Sequence, residues 1–253
     1  MLTAVISAIV LGSSHFATPN LLIVDHLVIG QRTNKWKPID ASLAKKKMQL
    51  SCRPVGLGTV GKAVTVSGFE HEEATDGIYI GPYEKAPGGV LVSGRVPTVP
   101  RPVKVLSNSS KTYSDAVSSW LKTQGISALG QGITKIASAD LDGDGTQEII
   151  IEASSRPHVG QEGMHDGKIG DYSVVLVRTL VNGKVKTMPL QFDKFTKEDS
   201  LLYEDLLLAI ADLDGDGRME VVISSDYYEG QSAMLFGLRK GKITKLIEMG
   251  AGV

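Results

Sequence analysis

The apolar positions of this chain keep two rhythms, and a short β-type period dominates. From residue 133 onward, aliphatic and β-branched residues gather in brief runs separated by polar or glycine-rich stretches. The first set is Ile133–Ala139, Glu148–Ala153, Tyr172–Leu180 and Lys184–Gln191; the second is Leu206–Ala211, Glu220–Ser225, Ser232–Leu238 and Lys242–Glu248. Runs of this length and composition predict strands. Asn182-Gly183 and Lys240-Gly241 divide the third run from the fourth in each set. Asn-Gly tolerates positive φ at both positions, so the first of these is a strong tight-hairpin signal. Each set therefore predicts four antiparallel strands, the layout of a propeller blade.

A helical period occurs convincingly once, over Thr112–Gln124, where Tyr113, Ala116, Val117, Trp120 and Leu121 share a face. Thr112 and Asp115 suggest a capping box, and Gly125 suits the C-terminal stop. Before this helix, Pro97, Pro100 and Pro102 punctuate an extended linker. Residues 20–96 are β-rich and glycine-punctuated, with short strands expected at Val64–Val66, Ile78–Ile80 and Val90–Val92. The expected fold is mainly β: two blade-like repeats (126–195 and 196–253), an N-terminal β-rich region (18–107) and a helix with its linker (108–125). Matching positions of the two repeats lie 72 residues apart, a period that fits too few times for the four blades of a closed propeller. An incomplete ring is expected, packed on the N-terminal region and helix or completed by another subunit.

Composition narrows the function classes. With 42% hydrophobic and 22% charged residues, the chain is an ordinary globular one rather than a disordered one. Its net charge is −1 and its longest basic block is Lys45-Lys46-Lys47, which argues against nucleic-acid binding. The apolar run Ala4–Gly12, followed by small and polar residues to Ala17, resembles a secretory signal without its basic start. Cleavage after Ser14 or Ala17 would fit. The alternative is a buried strand leading into Leu21–Val24. The run is too short to span a bilayer comfortably, so a secreted or cell-envelope protein with no membrane-spanning segment in its mature chain is expected. Cys52 is the only cysteine, which excludes an internal disulfide and reads as a small buried apolar residue.

The most specific chemistry lies between the first two runs of each set. Asp140-Leu-Asp142-Gly-Asp144-Gly-Thr146-Gln-Glu148 returns as Asp212-Leu-Asp214-Gly-Asp216-Gly-Arg218-Met-Glu220. Four carboxylates within nine residues repel one another unless a cation sits among them, so each loop predicts a site for a hard, oxygen-seeking ion. An EF-hand also begins Asp-x-Asp-x-Asp-Gly, but it requires a bidentate Glu at position 12 and helices on either side. Position 12 is Ile151 or Ile223, inside an apolar strand run. A hairpin loop remains, with side-chain ligands at positions 1, 3, 5 and 9 and the backbone carbonyl of Thr146 or Arg218 at position 7.

These loops, each followed by β-branched residues, resemble the FG-GAP/VCBS repeat of integrin α-subunit propellers and many secreted bacterial proteins. The resemblance covers about residues 126–253 and lies nearer the VCBS end, because the Phe-Gly and Gly-Ala-Pro marks are absent. It implies two Ca²⁺ sites, at Asp140, Asp142, Asp144 and Glu148 and at Asp212, Asp214, Asp216 and Glu220. A structural role for calcium is expected from it, in a carbohydrate- or protein-binding adhesion module rather than an enzyme.

Ligand recognition is expected at the blade ends away from the acidic loops. There the polar loop Ser154–Gly170 carries His158, Glu162, His165 and Asp166, and the loop Asp226–Gln231 carries Tyr227, Tyr228 and Glu229. An aromatic pair beside a carboxylate suits a sugar or a surface protein. Two rival readings are a hydrolase or lyase built on His158, His165 and Asp166, and a structural envelope component. Gly56-Leu-Gly58-Thr-Val-Gly61 fits Gly-x-Gly-x-x-Gly but is followed by a strand pattern, so it makes no phosphate site.

Overall fold

The computed structural model describes residues 19–39, 42, 45, 49–73, 77–81, 88–127, 132–157, 167–197 and 203–252. Within them the chain is mainly β, 59% strand with one α-helix, arranged as antiparallel sheets with no closed barrel. The N-terminal region supplies nine short strands: β1 (Asn20–Val24), β2 (Leu27–Arg32), β3 (Trp36–Lys37), β4 (Gln49–Gly56), β5 (Thr59–Val60), β6 (Val64–Ser67), β7 (Phe69–Glu72), β8 (Gly77–Ile80) and β9 (Val90–Ser93). They form one sheet ordered β5-β4-β9-β1-β2-β8-β7, with β3 on β2 and β6 on β4. The Gly-x-Gly-x-x-Gly segment lies across the end of β4, the following turn and β5, with strand β6 beyond it.

The two repeats form the other sheets. In the first, β11 (Ile133–Ala139), β12 (Glu148–Ser154), β13 (Tyr172–Val181) and β14 (Lys184–Lys194) pair in sequence order. A fifth strand from the proline-rich linker, β10 (Val103–Leu106), adds to the β11 edge. The second repeat is a four-stranded sheet of β15 (Glu204–Ala211), β16 (Glu220–Tyr227), β17 (Gly230–Arg239) and β18 (Lys242–Gly252). The hairpin signals operate as expected: Asn182-Gly183 and Lys240-Gly241 all have positive φ. The loop expected over Asp226–Gln231 is corrected. The β16–β17 ladder extends to the pair Tyr227↔Gly230, leaving a two-residue turn at Tyr228-Glu229.

The sheets stack as layers, and side-chain alternation assigns each residue to an interface. In the β15–β18 sheet, Leu207, Ile210, Val221, Ile223, Met234 and Phe236 face Ala137, Ile150, Val175 and Val177 of the first repeat. Their neighbours Ala209, Ala211, Val222, Ala233 and Leu235 face Leu22, Val24, Leu27, Ile29, Val90 and Val92 of the N-terminal sheet. Burial on both faces explains why these strands read as nearly continuous apolar runs instead of an apolar–polar alternation. The far face of the N-terminal sheet has its own core, including Leu21, Ile23, Val28 and Cys52. Burial pushes the Cys52 thiol up to about 11, as befits an inert core residue.

The helix α1 (Lys111–Thr123) covers the outer face of the first repeat, packing Val117 and Leu121 on Ile136, Ile151, Val174 and Leu176. Its expected stop is present. Gly125 has φ +73°, and N–H donors of Gly125 and Ile126 close on the carbonyls of Lys122 and Leu121. Its expected start is not. The helix begins one residue earlier, Ser110 occupies the cap without a side-chain bond, and Asp115 pairs with Lys111 one turn back. That ion pair occupies the carboxylate that a capping box would have used. No helix among the described residues is long and apolar enough to cross a membrane.

Candidate metal centres

Each acidic loop leaves the first strand of its repeat and enters the second, so the loop ends are fixed by a ladder closing at Ala139↔Glu148 or Ala211↔Glu220. The loop then coils around its first aspartate. The Asp140 carboxylate accepts backbone N–H groups from Gly143 (2.8 Å) and Gly145 (3.1 Å). Asp212 does the same with Gly215 and Gly217 (3.0 Å to the latter). All four glycines have φ near +80°, a conformation that other residues adopt only under strain. This is what the paired glycines of the motif provide: a backbone that can turn its donors inward.

The ninth residue closes the loop. Glu148 accepts the Leu141 N–H (2.9 Å) and the Thr179 hydroxyl (2.9 Å), while Glu220 accepts the Leu213 N–H (2.8 Å). Both glutamates are buried, at 1% and 4% exposure. Carboxylate oxygens of Asp140, Asp142 and Glu148 converge within 4.8 Å, and those of Asp212, Asp214 and Glu220 do likewise. Each group can hold a metal ion. Its donors are all hard oxygens, a set that suits Ca²⁺ or Mg²⁺ and disfavours soft metals.

Asp144 and Asp216 stand outside these groups. Both are exposed, their Oδ1 atoms accepting the N–H of Thr146 (2.7 Å) and Arg218 (2.9 Å), and the Arg218 guanidinium also pairs with Asp216. Thr146 and Arg218 themselves are half-buried in the second half of each loop.

The two centres differ in how their charge is answered. In the first, Asp142 Oδ2 accepts the Lys240 N–H (2.7 Å) from the second repeat's hairpin, and its Oδ1 is buried with no hydrogen-bond partner. In the second, the equivalent Asp214 forms an ion pair with Arg32 (3.0 Å) from β2. Burial and the Asp216 carboxylate nevertheless outweigh that arginine and raise the Asp214 pKa from its ordinary value. Burial also raises both glutamates, Glu220 to about 8. Hydrogen bonds from the Leu141 N–H and the Thr179 hydroxyl oppose the rise at Glu148, and one from the Leu213 N–H opposes it at Glu220.

Three arginines that the sequence reading missed organise this end of the molecule. Arg101 donates to the carbonyls of Asp140 (2.6 Å), Leu141 (2.9 Å) and Gly217 (2.8 Å), thereby joining the two loops. Met219 N–H to Leu141 O (2.8 Å) adds a direct bond between them. Arg95 donates to the Gly215 carbonyl (3.2 Å), and Arg32 to that of Asp214 (3.0 Å). Thr98 forms a two-way backbone bridge with Asp212 (2.8 and 3.0 Å). The linker thus runs between the acidic loops as a brace. The one local signal for it was a charged residue between Pro100 and Pro102.

At the opposite end the sequence-selected residues separate. Tyr227 is a strand residue whose ring lies 5.2 Å from that of Tyr203, whereas Tyr228 and Glu229 form the exposed turn. His158, Glu162, His165 and Asp166 lie outside the described residues. Comparison of the chain with protein-family models, with curated proteins and with solved structures finds no match.

Proposed function

We propose that this chain is a calcium-binding recognition module, in which Ca²⁺ at the two acidic loops stiffens one end of the sheet stack and the opposite end meets a glycan or surface protein. The observation that carries the reading is Asp142: a buried carboxylate oxygen with no donor, in a group of three carboxylates. A buried unpaired charge is costly, and a cation at that point removes the cost. Asp140, Asp142 and Glu148 would hold one ion, and Asp212, Asp214 and Glu220 the other. An exported protein would meet calcium in plentiful supply, and affinities of about 10⁻⁴–10⁻³ M are expected for such extracellular modules. The FG-GAP/VCBS resemblance of the loops supports the choice of Ca²⁺ over Mg²⁺.

Isothermal titration of the full chain with CaCl₂ tests this, repeated with MgCl₂. Uptake of two Ca²⁺ per chain, with Mg²⁺ weaker and a melting temperature that rises with calcium, is expected. No heat and an unchanged melting midpoint in EDTA would overturn it.

A further inference from the structure

The end of the stack opposite the acidic loops holds an open cavity of about 400 Å³, within the size range of small-ligand sites. Its lining combines the two aromatic rings of Tyr203 and Tyr227 with Asp193, Gln191, Ser225 and Glu248. The described lining contains no Lys, Arg or His, so it offers an anion no opposite charge. Glu248 is already answered by Lys245. Among the described residues Asp193 is not answered by a cation: one of its oxygens accepts the Gln191 amide (2.8 Å), and its carboxyl lies beside that of Asp205.

Asp205 stands behind this lining rather than in it. It is 2% exposed, behind Ser225 and Asp193, with Oδ1 accepting the Ser225 hydroxyl (2.6 Å) and Oδ2 buried without a hydrogen-bond partner. Two carboxyls meeting in a buried place must share a proton or gain a cation. Among the described residues no ion pair answers either carboxyl, and the Asp205 N–H to Ser173 Oγ bond (2.7 Å) holds its backbone in place. Beyond the cavity Asp226 adds further negative field, facing Asp25 and Glu204.

We infer that this cavity binds a primary alkylammonium group, its charge on Asp193, with Asp205 behind that carboxylate, and its methylenes against Tyr203 and Tyr227. Aromatic faces attract such cations as well as burying their carbon chains. A protein presents this group as a lysine side chain, and a free polyamine presents it at its ends. The inference rests on the reading of the chain as a recognition module and narrows its partner, but it does not depend on calcium.

The test is a titration of the full chain, followed by NMR chemical shifts, with n-butylammonium, Nα-acetyl-lysine methylamide, putrescine, n-butanol, butyrate and methyl glucoside. Butylammonium is expected to shift resonances of Tyr203 and Tyr227, and n-butanol and butyrate to bind at least tenfold more weakly. Preference for the lysine derivative over putrescine would assign a protein partner, and the reverse a free polyamine. Asp193→Asn and, separately, Tyr227→Leu should each weaken butylammonium at least tenfold while the melting transition stays cooperative. Equal binding of butanol, tighter binding of methyl glucoside, or full affinity in both variants would overturn the inference. Repeating the titration in EDTA and in Asp142→Asn separates the two readings: loss of calcium uptake should leave ammonium binding intact.

Discussion

Carboxylates crowd both ends of this sheet stack, and the two ends treat them in opposite ways. At the loop end, acids meet backbone N–H groups turned inward by glycines, and arginines tie down the surrounding carbonyls. At the far end, Asp193 meets Asp205 and Asp226 meets Asp25 and Glu204. The difference teaches that acid content alone does not define a cation site. The loop end presents three oxygens around a point with the backbone already folded to hold them. The far end presents charge beside aromatic surface, which suits a larger, softer cation with carbon attached.

The largest effect should come from Asp142→Asn, which removes the unpaired oxygen without altering shape. Calcium uptake at the first loop should fall at least about 100-fold, roughly 3 kcal/mol, as read by titration; a loss under threefold would break the contrast between the ends. Next is Arg101→Met. It leaves three carbonyls without their charged donor, at a cost of about 3 kcal/mol in chemical unfolding of the metal-free protein. A change below about 0.5 kcal/mol would show that the brace is incidental.

The far end responds to pH instead. Burial, then Asp25 and Glu204, raise Asp226 to about 6. Because the folded value lies above the unfolded one, near ~3.9, the contribution is full below about pH 4 and is lost as pH rises through about 6. Asp226→Asn should therefore flatten the stability profile of the metal-free protein between about pH 4 and 6, by about 2 kcal/mol. An unchanged slope would mean that the crowding is relieved in solution. The smallest expected effect is that of Thr179→Val. It removes one hydrogen bond from Glu148, weakens the first loop's calcium affinity about fivefold, roughly 1 kcal/mol, and leaves Glu148 with the Leu141 N–H, as Glu220 has the Leu213 N–H.

Much of this was legible in the residues, for a physical reason. Strands β11 to β18 announce themselves because a buried sheet face needs an apolar residue at every second position, and Asn182-Gly183 needs no distant partner to turn. The acidic loops are equally local, since their glycines and carboxylates satisfy one another within nine residues. What the sequence hid depends on distance. Arg32 reaches Asp214 across 182 positions and Arg101 reaches Asp140 across 39, and no period links them. The partner of Asp205 exists only because β14 and β15 end side by side. The capping box failed for a subtler reason: Asp115 had two local partners, and Lys111 won.

The covering of the first repeat by α1 has an evolutionary corollary. The β15–β18 sheet buries both faces with one alternating pattern, so it can be copied in the interior of the stack and meet compatible neighbours on either side. A copy added outside the first repeat would have to evict Val117 and Leu121 from their seat, exposing the helix's apolar stripe to water. Lengthening by duplication is therefore easiest between the existing repeats. The helix acts as a terminator, fixing the number of layers as a capstone fixes the height of a wall.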